Sequence, residues 1–364
     1  MRGEPAWPQQ SYRVKCWESG NGTQPPGQLT VGVGIVYNRQ KRALMTLPSL
    51  ASLQAAADLV HRVMLPTPQI RWPLLCARVG AETWVKHENH SPVGAFKVRG
   101  GIVYMDSLHR HEPNVTGVIA ATRGNHGQSV AFAASRMGLR SVIVVPFGNS
   151  REKNAAMCAL GAELIEYGGD FQEASEHAAK LAEAEKLHLV RSFDSTLIAG
   201  VASYALELFG AVANLDAVYA PIGMGSGICG IVAARNALGL RTEVIGVVAA
   251  RASAYAQSFA AGRPIAADVG QTIADGMACR VPDPAAIEII LGGVGRVATV
   301  EEDEIRSSMR HLFTDTHNVA EGAGAAALAA LLQERDRMQG RRVAVILSGG
   351  NVDTDVFAQT LASN

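Results

Sequence analysis

The stretch GVIAATRGNHGQSVAFAASRMGLRSVIVVP, residues 117–146, decides the fold. Its ends, Gly117–Thr122 and Ser141–Pro146, are short runs of β-branched and small apolar residues. Neither alternates polar with apolar, so each reads as a strand covered on both faces. Between them, Gln128–Met137 has helical spacing. Strand, turn, helix and a second strand of the same character make a βαβ unit, whose strands run parallel.

The same alternation continues outward. Downstream, the sequence predicts a helix over Glu152–Leu160, a strand over Glu163–Tyr167 and a helix over about 171–185. Ala217–Ile222 follows as a strand, with the helix Ile228–Leu238 behind it. Glu243–Val248 and Val343–Ser348 complete the strands, and Ala320–Gln333 is an alanine-rich helix. Upstream, the helical pattern Ala51–Met64 is stopped by Pro66 and Pro68, and Glu82–His87 reads as a strand. The arginine- and glutamate-rich stretch 301–310 reads as a solvated helix face. Together these elements predict an α/β protein with a parallel, doubly wound sheet.

Composition narrows the function classes. The chain has 364 residues, enough for two domains or two lobes at roughly 100–200 residues each. Hydrophobic residues make up 48% and charged residues 18%, which excludes a disordered chain. Lys+Arg and Asp+Glu are equal at 33 each, so charge gives no case for a nucleic-acid partner. No apolar run is long enough to predict a membrane span. The five cysteines are scattered without CxxC, and the histidines lack HExxH or other ligand spacing. The expectation is therefore neither a disulfide framework nor a metal site, in a reducing cytoplasm. Residues 1–44 carry prolines and glycines without a sustained period. They read as an extension outside the fold, with Met45 a plausible true start.

Three glycine-marked loops fall at strand–helix or strand–loop junctions, where open α/β sheets bind ligands. Gly124-Asn125-His126-Gly127 opens a helix whose N–H groups favour an anion, though an ordinary tight turn with an asparagine cap reads the same way. Gly223-Met224-Gly225-Ser226-Gly227 looks like a phosphate cradle. Gly225–Gly230 also fits the dinucleotide pattern GxGxxG. The acidic residue that a nicotinamide site needs at the end of the next strand is absent: that strand ends in Ala249-Ala250-Arg251. NAD is disfavoured, while NADP with Arg251 stays formally compatible. Ser348-Gly349-Gly350-Asn351 closes the last strand.

The segment Ser91-Pro92-Val93-Gly94-Ala95-Phe96-Lys97-Val98-Arg99-Gly100-Gly101 sets a lysine between two apolar residues. Desolvation lowers a lysine pKa and frees the amine for covalent chemistry. Taken alone, Lys97 reads as a surface lysine at a helix start.

The four motifs, in this order, resemble the fold-type II pyridoxal-phosphate enzymes, and within them the serine/threonine dehydratase group. The resemblance covers about residues 50–360. It implies a two-lobed fold like that of the tryptophan synthase β subunit, each lobe a mostly parallel sheet flanked by helices. The large, cofactor-binding domain would span 45–88 and 185–364, and the small, substrate-binding domain 89–184. The cofactor would be pyridoxal 5'-phosphate. Lys97 would hold it covalently and act as the base at the substrate Cα, with Phe96 beside the ring. Asn125 would bond the phenolic oxygen, Gly223, Met224, Gly225, Ser226 and Gly227 would hold the phosphate, and Ser348 would face the pyridine nitrogen. Thr122, Arg123, Gly124, Asn125 and His126 would grip the substrate, and Asp275 and Glu321 would lie near the cleft. The implied reaction is α,β-elimination of water from a β-hydroxy-α-amino acid, giving a 2-oxo acid and ammonia. Serine and threonine are the default substrates; 3-phenylserine and 3-hydroxyaspartate are the less usual ones. A β-replacement enzyme and a racemase share the fold. The partner is thus a small amino acid, with a homodimer or other homo-oligomer expected.

The sequence departs from the group in three places. Arg123 replaces a small residue and, as a permanent cation, cannot serve as the second acid or base that racemisation needs. The stretch Ile198–Ser203 reads IAGVAS where relatives carry IAGQGT, which puts substrate or phosphate contacts there in doubt. The chain ends 13 residues after Asn351, so the appended regulatory domain of biosynthetic threonine dehydratases, and feedback through it, are not expected.

Overall fold

The computed structural model describes residues 12–14 and 47–363. Its strands are β1 (Tyr12–Val14), β2 (Gln69–Arg71), β3 (Glu82–His87), β4 (Gly117–Ala121), β5 (Arg140–Val145), β6 (Glu163–Glu166), β7 (His188–Leu189), β8 (Ala217–Pro221), β9 (Glu243–Ala249), β10 (Arg296–Val300) and β11 (Arg342–Leu347). They form two sheets. One has five strands in the order β1-β6-β5-β4-β7, the other six in the order β10-β9-β8-β11-β3-β2. Pairing is parallel except at two edges, where β1 runs antiparallel to β6 and β2 to β3.

The central strands β4, β5, β8, β9 and β11 are apolar over nearly all their length because both faces of both sheets are covered there. Val218, Ala220, Val244, Ala344 and Ile346 pack into one core. Their neighbours Ala217, Tyr219, Ile245, Val343 and Val345 pack into another on the opposite face. Val118, Ala120, Ile143 and Val145 likewise divide from Ile119, Ala121, Val142 and Val144 across the smaller sheet. Alternate residues of a strand point to opposite faces, so a continuous apolar run is what a sheet between two helix layers requires. Each fully buried aliphatic side chain stabilises the fold by about 1.5–3 kcal/mol.

Several element ends differ from the sequence expectation. The helices after the first two glycine loops begin at Asn125 and Ser226, earlier than Gln128 and Ile228. Gly124 and Gly225 are their caps, and a glycine cap carries no side chain to mark the boundary. The sequence pattern predicts no strand at β2, β7 or β10. The first two have only three and two residues, and β10 is an edge strand left partly exposed by its burial pattern. The stretch 301–310 lies in the helix Glu302–Thr316, which buries Ile305, Ser308, Met309 and Leu312 and leaves the other face wet. Most of the expected extension 1–44 lies outside the described residues; Tyr12–Val14 within it forms a sheet edge. Among the described residues, no helix is long and apolar enough to cross a membrane.

Candidate active site

The C-terminal ends of β4, β8 and β11 bring the three glycine loops together beside the Lys97 segment. They enclose a cavity that opens to solvent. Phe96, Lys97, Thr122–His126, Gly223–Gly227 and Ser348 all line it. So do Lys153, Asp275 and Glu321.

Lys97 begins the helix Lys97–His111. The turn before it is clamped to the loop after β11. Ala95 forms an isolated bridge with Gly349, Phe96 N donates to Ser348 O at 3.0 Å, and Gly350 N donates to Gly94 O at 2.9 Å. Asn351 Nδ2 donates to Val93 O at 2.8 Å. Burial brings the Lys97 amine down to about 8, against the pull of Glu321. Among the described residues it has no carboxylate within 4.0 Å.

The other conspicuous residue of the motif, Arg99, points away from the cavity. It is fully buried and donates to Glu88, Ser203, Thr67 and both oxygens of Glu207. Lys86 Nζ reaches the same Glu207 at 2.5 Å and Thr67 O at 2.7 Å. Two cations and two carboxylates thus balance in the interior. Burial works against the Arg99 charge, but Glu88 and Glu207 more than offset it and hold it above its ordinary value. Burial would raise Glu207, yet Arg99 and Lys86 pull it down to about 2. Arg99 therefore anchors the helix that presents Lys97. Gly200 allows the neighbouring helix Ser195–Ala211 to come close: a Cβ there would sit 2.4 Å from Arg99 O. The divergent stretch Ile198–Ser203 belongs to this helix contact and does not line the cavity.

In the loop after β4, Thr122 Oγ1 accepts from Gly124 N at 2.9 Å and Gly127 N at 3.2 Å. The N–H groups of Asn125 and His126, in the first helical turn, lack intrahelical partners. Of the residues expected to grip a carboxylate, Thr122 is thus occupied in shaping the loop. Asn125 is held at both ends of its amide: Nδ2 donates to Glu321 Oε1 at 2.5 Å, and Oδ1 accepts from Asn351 Nδ2 at 2.9 Å. One Asn125 N–H is left over. His126 is buried, and burial together with the Lys97 charge lowers it to about 3. It is neutral, and its Nε2 has no hydrogen-bond partner.

Lys153 escaped the sequence reading. It lies in the helix Arg151–Ala159, where nothing local distinguishes it from a surface lysine. The fold buries it to 4% exposure and gives it Asp275 at 2.8 Å and Glu321 at 2.9 Å. Burial opposes its charge, but Glu321 and Asp275 hold it above the usual lysine value. Burial raises Glu321 above the usual carboxylate range in spite of Lys153. Glu321 Oε2 faces the ammonium but is out of line for a hydrogen bond.

Gly223–Gly227 caps the helix Ser226–Ala237 without any side-chain cap. Gly225 has φ +99°, and a Cβ on Gly223 would meet Gly276 O at 2.3 Å. The loop is pinned from outside: Tyr255 donates to Met224 O at 2.9 Å and Tyr204 to Gly227 O at 2.8 Å. Tyr204 also meets Phe96 edge-on at 6.1 Å. The loop's N–H groups are left to face the cavity at a helix N-terminus, a site for a phosphate.

A phosphate-binding helix start and a desolvated amine in one cavity define the class: an enzyme built around a phosphorylated aldehyde cofactor. The family described as pyridoxal-phosphate dependent enzymes matches residues 60–349, and the chain belongs to it. Within that family it is an ammonia-lyase of the fold-type II serine/threonine dehydratase group. It is 32% identical over 316 residues to the L-threonine ammonia-lyase of Thermotoga maritima, covering 86% of this chain and 77% of that one. It is also 32% identical over 297 residues to the biosynthetic L-threonine dehydratase of Pasteurella multocida, covering 81% of this chain. There it spans only 58% of the relative's length. The structure of processed threonine deaminase isoform 2 from Solanum lycopersicum superposes with a TM-score of 0.79 at 27% identity, over 88% of this chain and 96% of that one. The residues present fit pyridoxal phosphate, since the Gly223 cradle has no room for a side chain and the Lys97 amine is poised for a carbonyl.

Proposed function

We propose that this chain eliminates water from small β-hydroxy-α-amino acids, releasing a 2-oxo acid and ammonia. The observation that carries the reading is the Lys97 amine, depressed by burial and set in one cavity with the Gly223–Gly227 helix start, Asn125 and Ser348. When bound, the cofactor supplies the electron sink for a carbanion at Cα.

The chain's own residues do the rest. Gly223–Gly227 would take the phosphate through backbone N–H groups. The spare Asn125 N–H, oriented by Glu321 and Asn351, would meet the phenolic oxygen. Ser348 offers a hydroxyl to the pyridine nitrogen rather than a charge. The open N–H groups of Asn125 and His126 would receive the substrate carboxylate. Lys97 Nζ would take the α-proton, and the β-hydroxyl would leave as water. The enamine so formed hydrolyses to the 2-oxo acid and ammonia. Arg123 supports elimination over racemisation, because a guanidinium does not deliver a proton to the opposite face of Cα. The resemblance further supports a cytoplasmic homo-oligomer, which light scattering on the purified protein tests as to assembly.

The test is an absorbance spectrum of the purified protein followed by 2-oxo acid release from a panel of β-hydroxy amino acids. A Schiff-base band, oxo-acid release and loss of both in Lys97→Ala are expected. Turnover by Lys97→Ala without added amine would overturn the mechanism. A sulfide-dependent formation of cysteine would point instead to β-replacement.

A further inference from the structure

We infer that Arg123 makes this enzyme selective for a β-hydroxy amino acid carrying a second carboxylate on its β-carbon, the 3-hydroxyaspartate class. The inference rests on the dehydratase reading above and names its substrate.

Arg123 lines the inner cavity together with Lys97 and Asn125, and it also lines a second, outer cavity. Phe171, Met224, Asp275, Ala278 and Cys279 are shared between the two. The arginine therefore stands where the inner site meets its approach. The Arg123 Nε is buried and has no hydrogen-bond partner. Among the described residues, no carboxylate lies within 4.0 Å of its guanidinium.

The other cations around these cavities are accounted for. Lys153 pairs with Asp275 and Glu321, and Arg280 lies 3.2 Å from Asp170. Lys97 is the amine that takes the cofactor. Arg123 as a whole is half-buried, and Nε is its one buried atom without a partner; a buried donor left unpaired is costly. An unpaired guanidinium facing a substrate cavity is satisfied when the substrate brings the anion.

Two anions already have places. The cofactor phosphate is assigned to Gly223–Gly227 and the α-carboxylate to the N–H groups of Asn125 and His126. Those two residues line the inner cavity alone, whereas Arg123 reaches the outer one too. The anion it lacks is thus a further one, on the side of the substrate that faces the approach. A planar guanidinium matches a carboxylate with two parallel hydrogen bonds. The reaction balances as for serine: one water leaves across Cα–Cβ, one is taken up on hydrolysis, and the products are a 2-oxo dicarboxylic acid and ammonia.

The experiment uses the holoenzyme and two readouts. The first is kcat/KM for L-serine, L-threonine, 3-phenylserine and the diastereomers of 3-hydroxyaspartate. The second is the calorimetric Kd of L-aspartate against L-alanine, neither of which has a β-hydroxyl to lose. One 3-hydroxyaspartate diastereomer is expected to exceed serine by about 10- to 150-fold, the range that a hydrogen bond to a charged group spans. In Arg123→Met that ratio collapses by a similar factor, in Arg123→Lys it partly recovers, and the preference for aspartate over alanine falls in parallel. Serine, threonine or phenylserine turned over as well as 3-hydroxyaspartate would overturn the inference. So would an Arg123→Met that lowers every substrate by one factor, which would assign the arginine to the α-carboxylate. Turnover of no β-hydroxy amino acid would sink the dehydratase reading, while the aspartate-to-alanine ratio would still decide the role of Arg123.

Discussion

Replacing Lys97 by methionine should abolish cofactor capture and, at neutral pH, stabilise the apoprotein. Burial lowers the Lys97 amine from its ordinary 10.5 to about 8. Below pH 8 the amine is charged in both the folded and the unfolded chain, and the folded chain bears the full cost of desolvating it. Between pH 8 and 10.5 the unfolded chain binds more protons than the folded one, so stability rises with pH across that window. The gap of about 2.5 pH units sets a ceiling of about 3 kcal/mol at 1.36 kcal/mol per unit. Lys97 borders an open cavity, and water there reduces the penalty, so about 1–3 kcal/mol is the working range. With an unfolding entropy of about 2.1 cal/mol/K per residue, a chain of this length shifts its Tm by roughly 1.3 °C per kcal/mol. Lys97→Met should therefore melt about 1–4 °C above the wild-type apoprotein at pH 7, and the gap should close as the pH approaches 10. Calorimetry across that range measures it. A variant less stable than wild type at pH 7, or a difference independent of pH, would refute the claim that this site stores desolvation of the amine.

Other outcomes follow from neighbouring contacts. Arg99→Met leaves Glu88 and Glu207 with only Lys86 between them, and breaking such a buried network should cost about 3–5 kcal/mol in thermal or urea unfolding. Adding Glu207→Gln to that variant restores the charge balance, so the double variant should be more stable than the sum of the two single changes. On the acid side, Glu207 stabilises the fold fully above the usual glutamate pKa, and this is lost as the pH falls toward 2. Gly225→Ala forces a side chain into φ +99° with its Cβ 2.8 Å from that of Ala286; about 1–3 kcal/mol of strain and weaker pyridoxal phosphate retention in equilibrium dialysis are expected.

The outline of the fold was legible in the sequence for a simple reason. A sheet covered on both faces needs strands that are apolar at every position, and helices that leave and return alternately, so the pattern declares itself locally. β3 was read to the residue, and β4, β5, β8 and β11 to within one at either end. The glycine loops were legible too, because a backbone that must come close to a phosphate, or take a left-handed turn as Gly225 does, leaves a residue type behind. The short β2 and β7 left no pattern, and the glycine caps of two helices hid their true starts.

What tertiary structure alone decided is the state of the charges. In the chain, Lys97 and Arg123 are marked by the motifs they sit in, whereas Arg99 and Lys153 carry no local sign of where their charges go. Folding sends Arg99 into a balanced interior quartet, Lys153 between two acids, Arg123 to the cavity mouth unpaired, and Lys97 to the cavity with its amine depressed. Their partners lie between 11 and 168 residues away in sequence. Motif and periodicity are properties of neighbours along the chain, whereas desolvation and Coulomb pairing depend on which distant groups the packed sheets bring within a few ångströms.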